Sequence, residues 1–209
     1  AVDKTYAEVE NGGKIATLGK LIHNSDVVGD LQSKGVSVYE NVDDIPEDTK
    51  VIIRAHGVKR SVIESIAPRE YIDLTCPFVA KIHKIVREHY EKGYQIVIIG
   101  DENHPEVIGI NGWCEDSAII TYDKNFKMPQ KFAEKPVCIV AQTTINKNVF
   151  VQIVQIIKNT CKMVVIFDTI CSATKDRQEE AYELSARSDV MFVVGGKESS
   201  NTKKLFEIA

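Results

Sequence analysis

The chain has 209 residues, 44% of them hydrophobic and 27% charged, enough for a sizeable buried core in one large domain or a few small ones. Its 26 Lys and Arg face 30 Asp and Glu, a net charge of −4, so no basic excess points to nucleic-acid phosphates. No apolar run nears the roughly 20 residues of a membrane span, no signal or transit peptide is visible, and five widely spaced cysteines do not read as a secreted disulfide framework; a reducing cytoplasm is expected.

In chain order, Ala1–Val9 reads as an amphipathic helix with no strand before it. Apolar, β-branched runs then predict strands at Ile15–Leu18, Val51–Arg54, Tyr71–Leu74, Gln95–Ile99, Val137–Val140, Val164–Phe167 and Met191–Val194. Helical periods fall between them, as at Phe78–Tyr90 and Ala173–Ala186, and again at Thr202–Ala209. The alternation predicts an α/β fold with mostly parallel strands. Both ends read as cut, so the chain is expected to be an internal piece of a longer protein.

The chemically useful residues follow the strands. His23 and Asn24 follow the first, His56 and Gly57 the second, and Thr75 and Cys76 the third. Next come His104, Pro105 and Glu106; then Gln142, Thr143 and Thr144; then Asp168 and Cys171; last come Ser199, Ser200 and Asn201. Open parallel sheets bind ligands at this edge.

A repeat lies behind this pattern. Asp73-Leu74-Thr75-Cys76 and Asp168-Thr169-Ile170-Cys171 share Asp-x-x-Cys, 95 residues apart (171 − 76). Gly100 and Gly195 each stand 24 residues after their cysteine, and His104 and Ser199 each stand 28 after. His23 stands four residues after Gly19, as His104 does after Gly100. Counting back 28 from His23 places a cysteine just before Ala1. Three quasi-equivalent units are expected, each bringing one cysteine to a common axis. Three thiolates would suit an iron–sulfur cluster with an open iron, or a three-ligand zinc site. Cys114, Cys138 and Cys161 read as buried thiols. His83 and His89 read as surface residues of a helix, and Lys81 and Arg177 as charge balance or packing. Glu179-Glu180 reads as a solvated helix face.

Six motifs carry a resemblance over the whole chain: RAHGV (Arg54–Val58), DLTCPFVAKIH (Asp73–His83), NHPEV (Asn103–Val107), AQTT (Ala141–Thr144), DTICSATKDRQEEA (Asp168–Ala181) and GGKESSNTKKL (Gly195–Leu205). Together they resemble the 4-hydroxy-3-methylbut-2-enyl diphosphate reductase (LytB) family. The resemblance implies a trefoil-like arrangement of three pseudo-repeated α/β units around a central cavity, with units at 1–77, 78–168 and 169–209, the third incomplete. It implies a 4Fe–4S cluster held in part by Cys76 and Cys171, the first cysteine ligand lying outside this sequence in a GFCFGV-like motif. It implies substrate binding by His23, His56, His104, Thr143, Thr144, Ser199, Ser200 and Asn201. Glu106 would be the proton source, with Thr143 and Thr144 beside the reacting hydroxyl. The reaction implied is reductive dehydroxylation of an allylic diphosphate to isopentenyl and dimethylallyl diphosphates, with electrons from ferredoxin or flavodoxin. A non-catalytic metal- or anion-binding scaffold and an inactive truncated homologue are the alternatives.

Overall fold

The computed structural model describes residues 1–209. Eight strands form two sheets. The first contains β1 (Ile15–Leu18), β2 (Val36–Tyr39), β3 (Lys50–Ile53) and β4 (Tyr71–Asp73) in the order β2-β1-β3-β4. The second contains β5 (Gln95–Ile99), β6 (Ile119–Thr121), β7 (Pro136–Ala141) and β8 (Met163–Ile166) in the order β6-β5-β7-β8. Every pairing is parallel. One topology is therefore used twice.

Eight α-helices complete the chain: α1 (Val2–Glu10), α2 (Ser25–Ser33), α3 (Arg60–Ile66), α4 (Pro77–Glu91), α5 (Pro105–Asn111), α6 (Lys147–Thr160), α7 (Ser172–Ser185) and α8 (Ser200–Ile208). The central strands are apolar on both faces because helices cover both. Val97, Ile99, Val137 and Ile139 pack under Phe150, Ile153 and Ile157 of α6. The alternate residues Ile96, Ile98, Cys138 and Val140 pack against Ile82 and Val86 of α4 and Val107 and Ile110 of α5. In the first sheet Ala16, Val51 and Ile53 face Ile66 of α3, while Ile15 and Ile52 face Leu31 of α2 and are flanked by Val2, Tyr6 and Val9 of α1.

The repeat reaches individual hydrogen bonds. Gly19 N–H donates to Tyr39 O at 2.7 Å, and Gly100 N–H donates to Thr121 O at 2.9 Å. Cys76 N–H donates to Ala55 O and Cys171 N–H to Thr143 O, both at 2.9 Å. Arg54, Ala55 and His56 thus correspond to Gln142, Thr143 and Thr144. Cys76 and Cys171 cap α4 and α7 with nearly the same backbone, φ −55°, ψ 133° and φ −63°, ψ 132°. Because α4 packs on β5 and β7, we propose the division 1–77, 78–168 and 169–209.

Six of the seven predicted strands form. Met191–Val194 does not: it pairs with no strand, and Phe192 and Val194 are almost fully exposed. A β-branched run becomes a strand only where a neighbouring backbone receives its polar groups. The third part of the chain is instead two helices, α7 and α8, packed on each other. Two strands went unpredicted, β2 and β6. Both are short sheet edges, partly buried, so neither shows a long apolar run.

His83 is not a surface residue. It is 5% exposed and stacks on Trp113, ring centroids 4.9 Å apart and 18° from parallel. Trp113 Nε1–H donates to Val58 O at 3.1 Å. The pair therefore clamps the loop after β3 from the side of the second sheet. His89 is half-buried, its Nδ1 2.8 Å from Ile85 O and its ring edge-on to Tyr94 and Phe167. Gly57, the turn of the clamped loop, has φ +72°, and a Cβ there would lie 2.5 Å from His83 Cε1. Gly57→Ala is expected to destabilise the protein by about 1–3 kcal/mol, combining left-handed strain with a clash. Chemical denaturation of the two proteins measures it, and an unchanged midpoint would show that the clamp is slack.

Candidate functional site

The strand-end loops converge on a cavity of about 350 Å³. From the first sheet come His23, His56 and Cys76; from the second come His104, Glu106, Thr143 and Thr144. Arg177 of α7 and Ser199, Ser200 and Asn201 at the start of α8 close the remaining side. Every candidate named from the sequence borders this space except Cys171. Cys171 stands next to it, bonded through its backbone to Thr143.

The three imidazoles form one cluster. Ring centroids lie 4.3 Å apart for His23 and His56, 5.4 Å for His23 and His104, and 5.6 Å for His56 and His104. Local structure sets each ring. Asn24 caps α2 by accepting from Asp26 N and Val27 N, which leaves His23 just outside the helix. His104 itself caps α5, with Pro105 as the first helical residue. Its Nδ1 accepts from Glu106 N–H at 3.2 Å. The ring hydrogen is then on Nε2, which is buried and has no partner. Both nitrogens of His23 and Nδ1 of His56 are likewise buried and unpartnered. Buried polar atoms left unpaired are costly, so the cluster is built for a ligand.

Burial pushes the rings toward neutrality. His56 is lowered to about 3, first by desolvation and then by His23, His104 and Arg54. His104 falls to about 4, mainly by desolvation. His23 is lowered for the same leading reason, opposed by Glu198. The ring nitrogens lie within 4.8 Å of one another, close enough to share a metal ion. Arg54, however, adds positive charge near all three. That field opposes a cation and favours an anion.

Glu106 is 3% exposed on the first turn of α5. Its Oε1 accepts from Thr143 N–H at 2.6 Å and its Oε2 lies 2.7 Å from Thr143 Oγ1. Desolvation raises its pKa, and the two Thr143 contacts oppose the rise without cancelling it. A carboxyl held protonated would donate to Thr143 Oγ1, freeing the threonine hydrogen to point onward into the cavity.

Four features went unassigned in the sequence. Gln142 ties the second sheet's loops together: its Oε1 accepts from Asp101 N–H at 3.0 Å, and its Nε2 donates to Thr144 Oγ1 at 3.0 Å and to Ser200 Oγ at 3.4 Å. Arg177 lines the cavity, and Arg54 stands behind it. His83 supports the His56 loop from below. Only the position of Gln142 and Arg54 directly after strands could have marked them. A neighbouring hollow of about 520 Å³ shares Thr144 and Ser200 but carries no imidazole or thiol, and its Lys204 is paired with Glu207.

The lowered imidazoles make stability depend on pH. Each binds its proton more readily in the unfolded chain, near its ordinary 6.5, than in the folded one. Stability is therefore present above that value and is lost as pH falls toward about 3 to 4. Glu106, shifted upward, acts in the opposite sense. Melting temperature should drop between about pH 6.5 and 4.5. His56→Asn should flatten the drop; equal slopes in both proteins would remove His56 from the buried cluster.

The LytB protein family model matches residues 1–209. The chain is 49% identical over 216 residues to the 4-hydroxy-3-methylbut-2-enyl diphosphate reductase of Thermoanaerobacter sp. (strain X514), covering all of this chain and 74% of that protein. It is 46% identical over 212 residues to the enzyme of the same name from Clostridioides difficile (strain 630), covering 76% of it. Among solved structures, the E-1-hydroxy-2-methyl-but-2-enyl-4-diphosphate reductase of Plasmodium falciparum superposes with a TM-score of 0.88 at 28% identity, over 99% of this chain and 67% of that one. A structure of (E)-4-hydroxy-3-methyl-but-2-enyl diphosphate reductase superposes with a TM-score of 0.74 at 36% identity, over 99% and 76%. The chain shares their trefoil-like α/β fold. With the family match running from end to end and the strand-end cavity formed by residues of its motifs, this chain belongs to the LytB family.

Proposed function

We propose that this chain carries the reductive dehydroxylation of 4-hydroxy-3-methylbut-2-enyl diphosphate, the activity for which its relatives are named. The observation that carries the reading is one cavity holding three unpartnered imidazoles, a buried carboxyl bonded to Thr143, and the Cys76 residue. Two electrons and two protons replace the C–O bond by C–H and release water. The products are isopentenyl and dimethylallyl diphosphates, according to which carbon receives the proton.

The diphosphate is assigned to His23, His56 and His104, with Ser199, Ser200 and Asn201 opposite. Nε2–H of His104 is a free donor, and Asn201 Oδ1 is buried without a partner. Ser199 Oγ already accepts from Thr202 N–H at 3.3 Å as the cap of α8, which leaves its hydrogen available. Anion binding would raise the imidazole pKa values and let the rings take up protons. The allylic hydroxyl is assigned to the Thr143 and Thr144 side. A hydroxyl leaves poorly, and proton delivery from Glu106 through Thr143 Oγ1 turns it into water.

The cofactor assigned is a 4Fe–4S cluster. Cys76 and Cys171 fit as two of its ligands. Each sits immediately ahead of a helix with its thiol free of any capping hydrogen bond. Cys114 and Cys138 do not fit: they are fully buried in the core, and desolvation pushes their thiols up to about 11 and about 12. The bound cluster would supply single electrons and a Lewis-acidic iron for the hydroxyl oxygen. Ferredoxin or flavodoxin is the matching class of electron donor. A reducing cytoplasm suits five free cysteines, and no helix is long and apolar enough to cross a membrane.

A purely structural scaffold has no use for a desolvated glutamate aimed at a threonine hydroxyl. Glu106→Gln preserves both contacts to Thr143 but removes the acidic proton. In the complete enzyme it should lower kcat by about 10²–10⁴-fold with KM little changed. Near-normal turnover would sink the proton role. Cys76→Ser should independently lower bound iron and the visible absorption of the anaerobically purified protein. Full iron content in that variant would exclude Cys76 as a ligand.

A further inference from the structure

Arg54 is the first residue of the RAHGV motif, and beyond the field it puts on the three rings its place in the strand-end loop has no explanation so far. It follows β3 directly, two residues before His56. Its side chain is half-buried and makes no hydrogen bond and no ion pair; of its three guanidinium nitrogens only Nε is enclosed without a partner. Glu40 is the one acid whose charge bears on it, and Glu40 does not reach it. The guanidinium lies against Gly19. A Cβ on that glycine would sit 2.2 Å from an Arg54 terminal nitrogen, so the absence of a side chain there makes room for the cation.

The internal repeat supplies the control. Gln142 fills the same slot in the second sheet, against Gly100 as Arg54 is against Gly19. Its amide is neutral and bonded to Asp101, Thr144 and Ser200. The slot is therefore satisfied structurally by a neutral residue. A guanidinium in it is partly desolvated, with no acid paired to it and only the more distant Glu40 opposing that cost. An unpaired, partly enclosed cation close to three unpaired imidazoles favours an anion in the cavity they line.

We infer that Arg54 is a fixed positive charge of the anion pocket, additional to Arg177 in its wall and set close to His23, His56 and His104, so that the cavity prefers a ligand with two linked phosphates to one with a single phosphate. It borders no part of the cavity itself and acts through its field, which reaches all three rings. The inference rests on reading the cavity as a diphosphate site. Burial holds the imidazoles toward neutrality when the cavity is empty, so they supply little of that charge at the moment of encounter. A permanent cation supplies it, and its pull grows with the charge of the ligand.

The test uses the full chain with inorganic pyrophosphate and orthophosphate as probes, titrated by calorimetry at low and high salt. Arg54→Gln copies the second sheet's slot, Arg54→Met removes polarity as well, and Arg54→Lys keeps the charge. Both neutral variants should lose about tenfold or more in pyrophosphate affinity, lose less in orthophosphate affinity, and show a shallower salt dependence. Arg54→Lys should retain the preference. The unliganded melting temperature of Arg54→Gln should not fall, because the charge removed is unpaired and partly desolvated in the empty protein. Pyrophosphate binding and salt dependence equal to wild type in both neutral variants would overturn the inference alone. So would a lowered melting temperature with affinity intact, which would make Arg54 a structural residue. A wild-type protein that ignores pyrophosphate would overturn the diphosphate reading and this inference with it.

Discussion

Parallel pairing forces every strand of a sheet to end on the same side. In this chain two such sheets of the same order turn those ends toward one another. Loops after β1, β3, β5 and β7 must then share a small volume, and the residues at those positions meet although they lie more than a hundred positions apart. Everything chemical about the site depends on this convergence. His23, His56 and His104 come from three different strands, and Thr143 reaches Glu106 from a fourth.

Convergence also excludes water, and desolvation then orders the electrostatics. It lowers the imidazoles and raises Glu106, so the bases are held neutral and the acid keeps its proton to a higher pH than a free carboxyl. Such a site carries little charge of its own when empty, Arg177 in its wall and Arg54 nearby excepted. A polyanionic ligand changes that balance, because it favours protons on the rings around it. The acid is positioned on a helix start whose dipole favours carboxylate, while burial shifts it upward against the two Thr143 contacts.

The two sheets are joined by side chains that also serve the site. Gly109 of α5 packs against the Gly57–Val58 backbone, with a would-be Cβ only 3.5 Å away, and Trp113 bonds to Val58 O. His83, two turns along the helix that Cys76 caps, fills the space under Gly57. Movement of α4 would thus shift both the Cys76 corner and the His56 loop. The unpaired Nε2 of His83 is tolerated there because its ring is neutral and stacked.

Much of this was legible without coordinates. Apolar, β-branched runs located six strands and helical periods located α1, α4, α7 and α8, and the matched spacings of Gly100 and Gly195 and of Cys76 and Cys171 exposed a repeat, because residues after parallel strands are constrained by topology more than by their neighbours. The same spacing brought out His23, His104 and Ser199 as equivalents. Edge strands β2 and β6 escaped, since a three- or four-residue half-exposed strand is defined by the backbone it pairs with. Met191–Val194 has strand-like residues but no such partner. Periodicity also left His83 on the surface, because a polar type on a helix says nothing about what packs against it. By itself the sequence determined the family, the α/β class and the residue types brought to the strand ends. Only the tertiary structure decided which of them lose water together, that Gln142 is bonded while Arg54 is not, and that Glu106 meets Thr143, because burial and pairing are properties of the assembled neighbourhood and not of any segment.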